Sequence, residues 1–133
     1  MPIRTRVLPS LPEASLEARR FVRRTAASDV RAQVLDDAVL LTSELVTNAV
    51  RHAGHETEDS IEVEVSVDDR ALRVTVRDRG RGFDPARPRE RGEEGGWGFH
   101  LVRALSSRWG VEGTAVGTDV WFEIDRTEPS SGT

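Results

Sequence analysis

Apolar residues recur along this chain at two spacings, and the change from one to the other divides it. Ala18, Phe21, Val22 and Thr25 sit at i, i+3, i+4 and i+7, one face of a helix that starts after Pro9, Ser10 and Pro12. A longer helix is predicted from about Ala32 to Ala53. Leu35, Ala38, Val39, Thr42, Leu45, Val46, Ala49, Val50 and Ala53 fill one arc of it and form the expected core stripe. Asp37, Glu44, Thr47, Asn48 and Arg51 share the other side, together with Leu40 and Leu41. The period then becomes two. Ile61, Val63, Val65 and Val67 alternate with Glu62, Glu64 and Ser66. After an Asp68-Asp69-Arg70 turn, Leu72, Val74 and Val76 alternate with Arg73, Thr75 and Arg77. These two strands are expected to pair as a hairpin with one buried face.

Ile3 to Leu8 suits a short N-terminal strand. Asp84 to Gly96 is nearly free of apolar residues, as lids, binding loops and disordered segments are. A further helix is predicted from about Gly98 to Trp109, with Leu101, Val102 and Leu105 apolar. Val111 to Val116 and Val120 to Ile124 then make a final strand pair around Gly117. The expected fold class is α+β, a two-layer sandwich whose mixed, mostly antiparallel sheet is covered on one face by helices. One domain is expected over 1–125, followed by a disordered polar tail, 126–133.

Composition narrows the chemistry. Cysteine is absent, which excludes disulfides, thiolate metal sites and cysteine nucleophiles. All basic residues are arginine, so Walker-type and Schiff-base lysines are excluded as well. A phosphate contact has to come from arginine, backbone N–H groups or a metal. The net charge is −4 with the arginines dispersed among acids, which argues against direct nucleic-acid binding. The sequence shows no apolar run long enough to cross a bilayer and no secretory h-region, so no membrane partner and a cytoplasmic location are expected.

Three short signals carry candidate chemistry. Glu44 and Asn48 lie one helical turn apart on one face. A carboxylate can take a proton from a hydroxyl, and an amide oxygen is a neutral hard ligand for magnesium. Alone, such a pair more often marks a solvated helix face. Asp78-Arg79-Gly80-Arg81-Gly82 ends a predicted strand. An ionised carboxylate only accepts hydrogen bonds, so Asp78 suits the exocyclic amino group of adenine, and the glycines permit close approach to a flat ligand. A plain strand-ending turn has the same composition. Gly95-Gly96-Trp97-Gly98-Phe99 precedes a helix, where exposed N–H groups attract phosphate.

In this order the three resemble the signature of the histidine-kinase-like ATPase superfamily (GHKL, Bergerat fold). Glu44-Leu45-Val46-Thr47-Asn48-Ala49-Val50-Arg51-His52-Ala53 resembles its N box. Asp78 to Gly82 resembles the first glycine box, Gly96-Trp97-Gly98-Phe99 the second, and Gly117-Thr118-Asp119-Val120-Trp121 the closing strand. The resemblance implies ATP and Mg2+ as cofactors. It implies that Asn48 holds the metal, that Asp78 reads adenine with support from Thr118, and that Gly80 and Gly82 line adenine and ribose. Gly96, Gly98 and Phe99 form the box at the phosphates, and Glu44 is the implied general base. Arg51 shares the helix face and either touches a phosphate or is a surface arginine. Asp84 to Gly95 becomes the lid, with Arg87, Arg89 and Arg91 as candidate phosphate contacts.

Length points to the stand-alone members of the superfamily, since 133 residues leave little room for the extra domains of topoisomerases, chaperones or sensor kinases. The class resembled is the anti-sigma-factor serine/threonine kinase class of small bacterial regulators. Its implied partners are a sigma factor and a STAS-type anti-sigma-factor antagonist, with a homodimer as the expected assembly. An ATP-dependent binding regulator without kinase activity is the alternative. His52 and His55 invite a zinc reading but have no clear third ligand. Asp119 departs from the family pattern, which often has a small hydroxyl residue there; it faces either the pocket or solvent.

Overall fold

A computed structural model of the chain describes residues 3–53, 60–78, 99–113 and 117–126. The elements are β1 (Arg4–Pro9), α1 (Ala14–Ala26), α2 (Ala32–Ala53), β2 (Ser60–Val67), β3 (Ala71–Asp78), α3 (Phe99–Leu105), β4 (Arg108–Gly113) and β5 (Thr118–Asp125). The strands form one five-stranded sheet in the order β1-β2-β3-β5-β4. Every pairing among them is antiparallel, where the sequence pattern suggested a mixed sheet. The reason lies in the connections. The α1–α2 hairpin returns the chain to the end of the sheet it left, so β2 runs against β1. β3 and β4 both run antiparallel to β5 and so are parallel to each other, but β5 is inserted between them and removes the parallel contact.

Period-two alternation gives the sheet two unlike faces. Ile61, Val63, Val65, Val67, Leu72, Val74, Val76, Val120, Phe122 and Ile124 are buried on one face. The helices cover it, with α2 packed between α1 and α3. Such burial is worth roughly 1.5–3 kcal/mol for each large apolar side chain. α1 buries Ala14, Ala18, Phe21, Val22 and Ala26. Thr25, expected on that face, is only half-buried. α2 buries more than its predicted stripe: Leu41 and Asn48, placed on the polar side by the helical wheel, are 0% and 7% exposed. The solvated stripe of α2 is narrower than the wheel suggested: Gln33, Asp36 and Arg51 are exposed, and of the leucine pair only Leu40 stays exposed, at 45%.

The β2–β3 turn follows its sequence. The Asp68 carboxylate accepts the N–H groups of Arg70 at 2.8 Å and Ala71 at 2.9 Å. Those bonds, first from Arg70 and then from Ala71, hold its pKa below the ordinary value. Arg126, assigned to the tail by sequence, is anchored here. Its N–H donates to Arg70 O at 2.9 Å and its guanidinium to Asp68 O at 2.9 Å. Residues 127–133 lie outside the described residues.

Helix α3 is shorter than predicted, and Trp109 belongs to strand β4. The Ser107 N–H already donates to Glu123 O at 2.7 Å, so strand pairing begins where the helical pattern was expected to continue. β4 likewise starts at Arg108, not Val111. The open face of the sheet is laced with ion pairs. Arg108 and Arg73 both hold the Glu123 carboxylate, at 2.6 and 2.9 Å, and keep its pKa below the usual carboxylate range, Arg108 being the larger influence. Arg73 also lies 4.1 Å from the centroid of the Trp121 ring. No helix among the described residues is long and apolar enough to cross a membrane.

Gly110 is opposite Trp121 in the β4–β5 register. A Cβ there would sit 2.7–2.9 Å from indole atoms. Gly110→Ala is expected to displace the ring from Arg73 and cost about 1–3 kcal/mol, the usual range for overpacking, read as a lower thermal midpoint. An unchanged midpoint would show that the indole moves aside freely.

Candidate functional site

The end of β3, the start of β5, the middle of α2 and the first residue of α3 enclose a cleft. Leu45, Asn48, Ala49, Val76, Asp78, Phe99, Thr118 and Val120 line it. Strand register explains two of these. Asp78 pairs with Thr118 in the last rung of the β3–β5 ladder. Both share the face of Val76 and Val120, so they project from the core face at the point where the core ends. Helix spacing explains two more. Leu45 and Asn48 are three residues apart, and Ala49 lies four from Leu45, so all three point to the same side.

The walls are mostly apolar, with the polar groups concentrated at Asn48, Asp78 and Thr118. Asn48 is 7% exposed, and its side-chain Nδ2 is buried with no hydrogen-bond partner. A buried amide in that condition costs free energy of order 1–3 kcal/mol. The unmet capacity faces a cleft that also holds a carboxylate and a hydroxyl, which is the donor and acceptor set a polar ligand needs. Phe99 closes one side. Its ring centroid lies 5.2 Å from that of Trp109, which supports it from β4.

The structure thus gathers Asn48, Asp78, Phe99 and Thr118 from four elements. Glu44 is one turn before Asn48 and half-buried, but it does not line the cleft. Arg51 is exposed at the next turn. Gly80, Gly82, Gly96 and Gly98, and the lid residues Arg87, Arg89 and Arg91, lie outside the described residues. Leu45, Ala49, Val76 and Val120 had been read as core alone. Their role as walls follows from period: Val76 and Val120 are two residues from Asp78 and Thr118, on the same face.

Asp119 does not enter the cleft. Its Oδ2 accepts the Nε–H of Arg77 at 3.2 Å on the opposite face of the sheet. The departure from the family pattern therefore places no acid among the lining residues. A wider groove between β1 and the C-terminal half of α1 is lined by Arg4, Arg6, Arg24 and Asp29, among others, and holds none of the candidate site residues. Among the described residues no group of three or more His, Cys, Asp or Glu side chains is placed to hold a metal.

If the buried Asn48 amide is kept for a ligand and not for stability, its removal will not weaken the ligand-free fold. Asn48→Leu is expected to leave thermal stability unchanged or to raise it by up to about 1–2 kcal/mol. A midpoint lowered by several degrees would mean that the amide holds the fold together.

Comparison with known proteins agrees with this architecture. The family model for the histidine kinase-like ATPase domain matches residues 8–124. A serine-protein kinase RsbW from Oceanobacillus iheyensis is 31% identical, with 53% of this chain and 53% of that protein covered. The chain thus spans about half the length of this relative. The structure of the RsbU and RsbW domains of Rv1364c from Mycobacterium tuberculosis superposes with a TM-score of 0.74 over 100% of this chain and 35% of that one. At 24% identity that likeness is one of fold. A blue-light activated histidine kinase of Erythrobacter litoralis EL346 is 30% identical, with a TM-score of 0.60 over 76% of this chain and 33% of its own. RsbW thus recurs in a sequence relative and in a structural neighbour, in keeping with the anti-sigma-factor kinase class that the motifs resemble. The chain belongs to the histidine kinase-like ATPase domain family.

Proposed function

We propose that the chain binds ATP with magnesium in the cleft between α2 and the β3–β5 rung, and that it acts as an anti-sigma-factor-type serine/threonine kinase. The observation that carries the reading is the meeting of an unpartnered buried amide, Asn48, with Asp78 and Thr118 in one apolar-walled cleft. Asp78 accepts the adenine amino group, which guanine lacks at that edge, and Thr118 supports the contact. Val76, Val120, Ala49 and Phe99 supply flat apolar area for the purine. Gly80 and Gly82 serve the adenine and ribose, and Gly96 and Gly98 the phosphates.

Asn48 fits both parts of such a ligand: its unpartnered Nδ2 is a donor for a nucleotide oxygen, and its side-chain oxygen is the hard neutral ligand that magnesium takes alongside phosphate and water. When bound, the ion offsets the charge of the phosphates. Arg51, exposed one turn beyond on the same helix, meets the outer phosphate in this reading, the alternative being a plain surface arginine. Glu44 takes the proton of the attacking hydroxyl as the γ-phosphoryl group moves in line to a serine or threonine of an antagonist protein, leaving ADP. Sequestration of a sigma factor belongs to the same reading, from the resemblance of the motifs to the anti-sigma-factor kinase class. So does a homodimer, supported by the exposed apolar residues Ile3, Val7, Leu11 and Leu16 around edge strand β1.

A second reading, an ATP-dependent binding regulator without transfer, is favoured by one observation: Glu44 does not line the cleft. Calorimetry with ADP and magnesium, followed by transfer of labelled phosphate to candidate antagonists, separates the two. Asp78→Asn is expected to weaken ADP at least about tenfold, the scale of a lost charge-assisted hydrogen bond. Glu44→Ala is expected to keep ADP binding and abolish transfer. An unchanged dissociation constant for Asp78→Asn removes the adenine contact. Partner capture by the wild type without transfer selects the second reading.

A further inference from the structure

Helix α3 has little of its own to hold it in place. It spans seven residues, and Val102 is its one buried side chain. A helix that short is not stable by itself, so its orientation is set by what it packs on. It lies against α2 and β4. On the β4 side, two residues of the helix grip one indole. The Phe99 ring centroid lies 5.2 Å from that of Trp109, with the planes tilted by 41°. One turn further on, the Arg103 guanidinium stands 5.5 Å from the centroid of the same indole. Trp109 is itself well anchored. Its partner in the β4–β5 ladder is Phe122, which is 0% exposed, and the adjacent Arg108 is tied to Glu123 and Asp125.

We propose that Trp109 is a positioning residue for the nucleotide: by holding the first turn of α3 against β4, it sets the Phe99 ring as a wall of the cleft. The inference rests on the nucleotide reading above and adds to it a residue that does not line the cleft. Among the described residues, Phe99 is what α3 contributes to the lining. A purine is flat, so an aromatic wall packs on it well only over a narrow range of angles. Without the indole the first turn of α3 samples other orientations, and Phe99 is in place part of the time. Apparent affinity then falls in proportion to the fraction of molecules with the wall in place.

A double-variant cycle separates positioning from general stability. Trp109→Leu, Phe99→Leu and the two combined are measured for ADP–magnesium affinity by calorimetry and for the thermal midpoint without nucleotide. Trp109→Leu is expected to weaken ADP about threefold to tenfold, the scale of a lost aromatic pair. In the Phe99→Leu background the same substitution is expected to add no further loss, because the ring it positions is gone. Val22→Ala, in α1 on the far side of α2, removes buried volume without touching α3. It is expected to lower the midpoint and to leave ADP affinity as in wild type. Trp109→Phe keeps an aromatic ring and is expected to lose about twofold, again only while Phe99 is present. That second cycle carries the test if the leucine variant does not fold. Unchanged ADP affinity in the Trp109 variants overturns the proposal. Equal losses with and without Phe99 overturn it too, since the indole would then act by another route. A loss in Val22→Ala that matches Trp109→Leu at a similar midpoint shows an effect of stability alone and overturns it as well. A wild type that does not bind ADP defeats the nucleotide reading itself, and this inference with it; a wild type that binds while the variants match it defeats this inference alone.

Discussion

The antiparallel contact between β3 and β5 is the constraint on which the rest of the molecule depends. Its register fixes Val74 against Phe122 and Val76 against Val120 in the core. The same register brings Asp78 to Thr118 at the cleft and Arg77 to Asp119 behind it. A slip of β5 by one residue would exchange its two faces, turning Asp119 and Glu123 toward the helices and Thr118 into solvent. Such a slip would bury charge without partners on the helix side, at a cost far above that of any single contact. Core and site are thus specified together.

Helix α2 completes the arrangement from the other layer. It keeps a solvated stripe through Gln33, Asp36, Leu40 and Arg51, but Asn48 lies off that stripe and is buried. A leucine or alanine there would fit the apolar walls without an orphaned group. The presence of an amide is a local conflict between stability and chemistry, the kind that marks a binding site. Among the described residues the Ser10 and Thr42 hydroxyls are also buried and unpartnered, but neither lines the cleft.

Much of this was legible in the sequence. The alternation from Ile61 to Val76 fixed the hairpin and its buried face, and Asp68 identified the turn. Helix α2 was found with its limits, and the resemblance of the ordered motifs to a known family pointed to one pocket for Glu44, Asn48, Asp78 and Thr118, of which Asn48, Asp78 and Thr118 line the cleft. What was not legible depended on neighbours. Leu41 and Asn48 are buried because a second helix flanks α2, which a helical wheel does not contain. Trp109 follows a helical pattern but is drawn into β4 by Phe122 and Glu123, its own and the adjacent partner in that pairing. Asp119 offered two orientations until the register with Arg77 selected one. Glu44 shares the helix face of Asn48 but lies one turn, about 6 Å, back along the axis, and so falls outside the lining of the cleft.

The central claim is that this cleft is where adenine nucleotide binds. Amide chemical shifts followed by NMR while ADP and magnesium are added test it most directly. The account predicts saturable shifts concentrated at Asn48, Ala49, Asp78, Phe99 and Thr118, with β1 and the C-terminal half of α1 little affected. Shifts centred on the groove between β1 and α1, or none at saturating nucleotide, would contradict it.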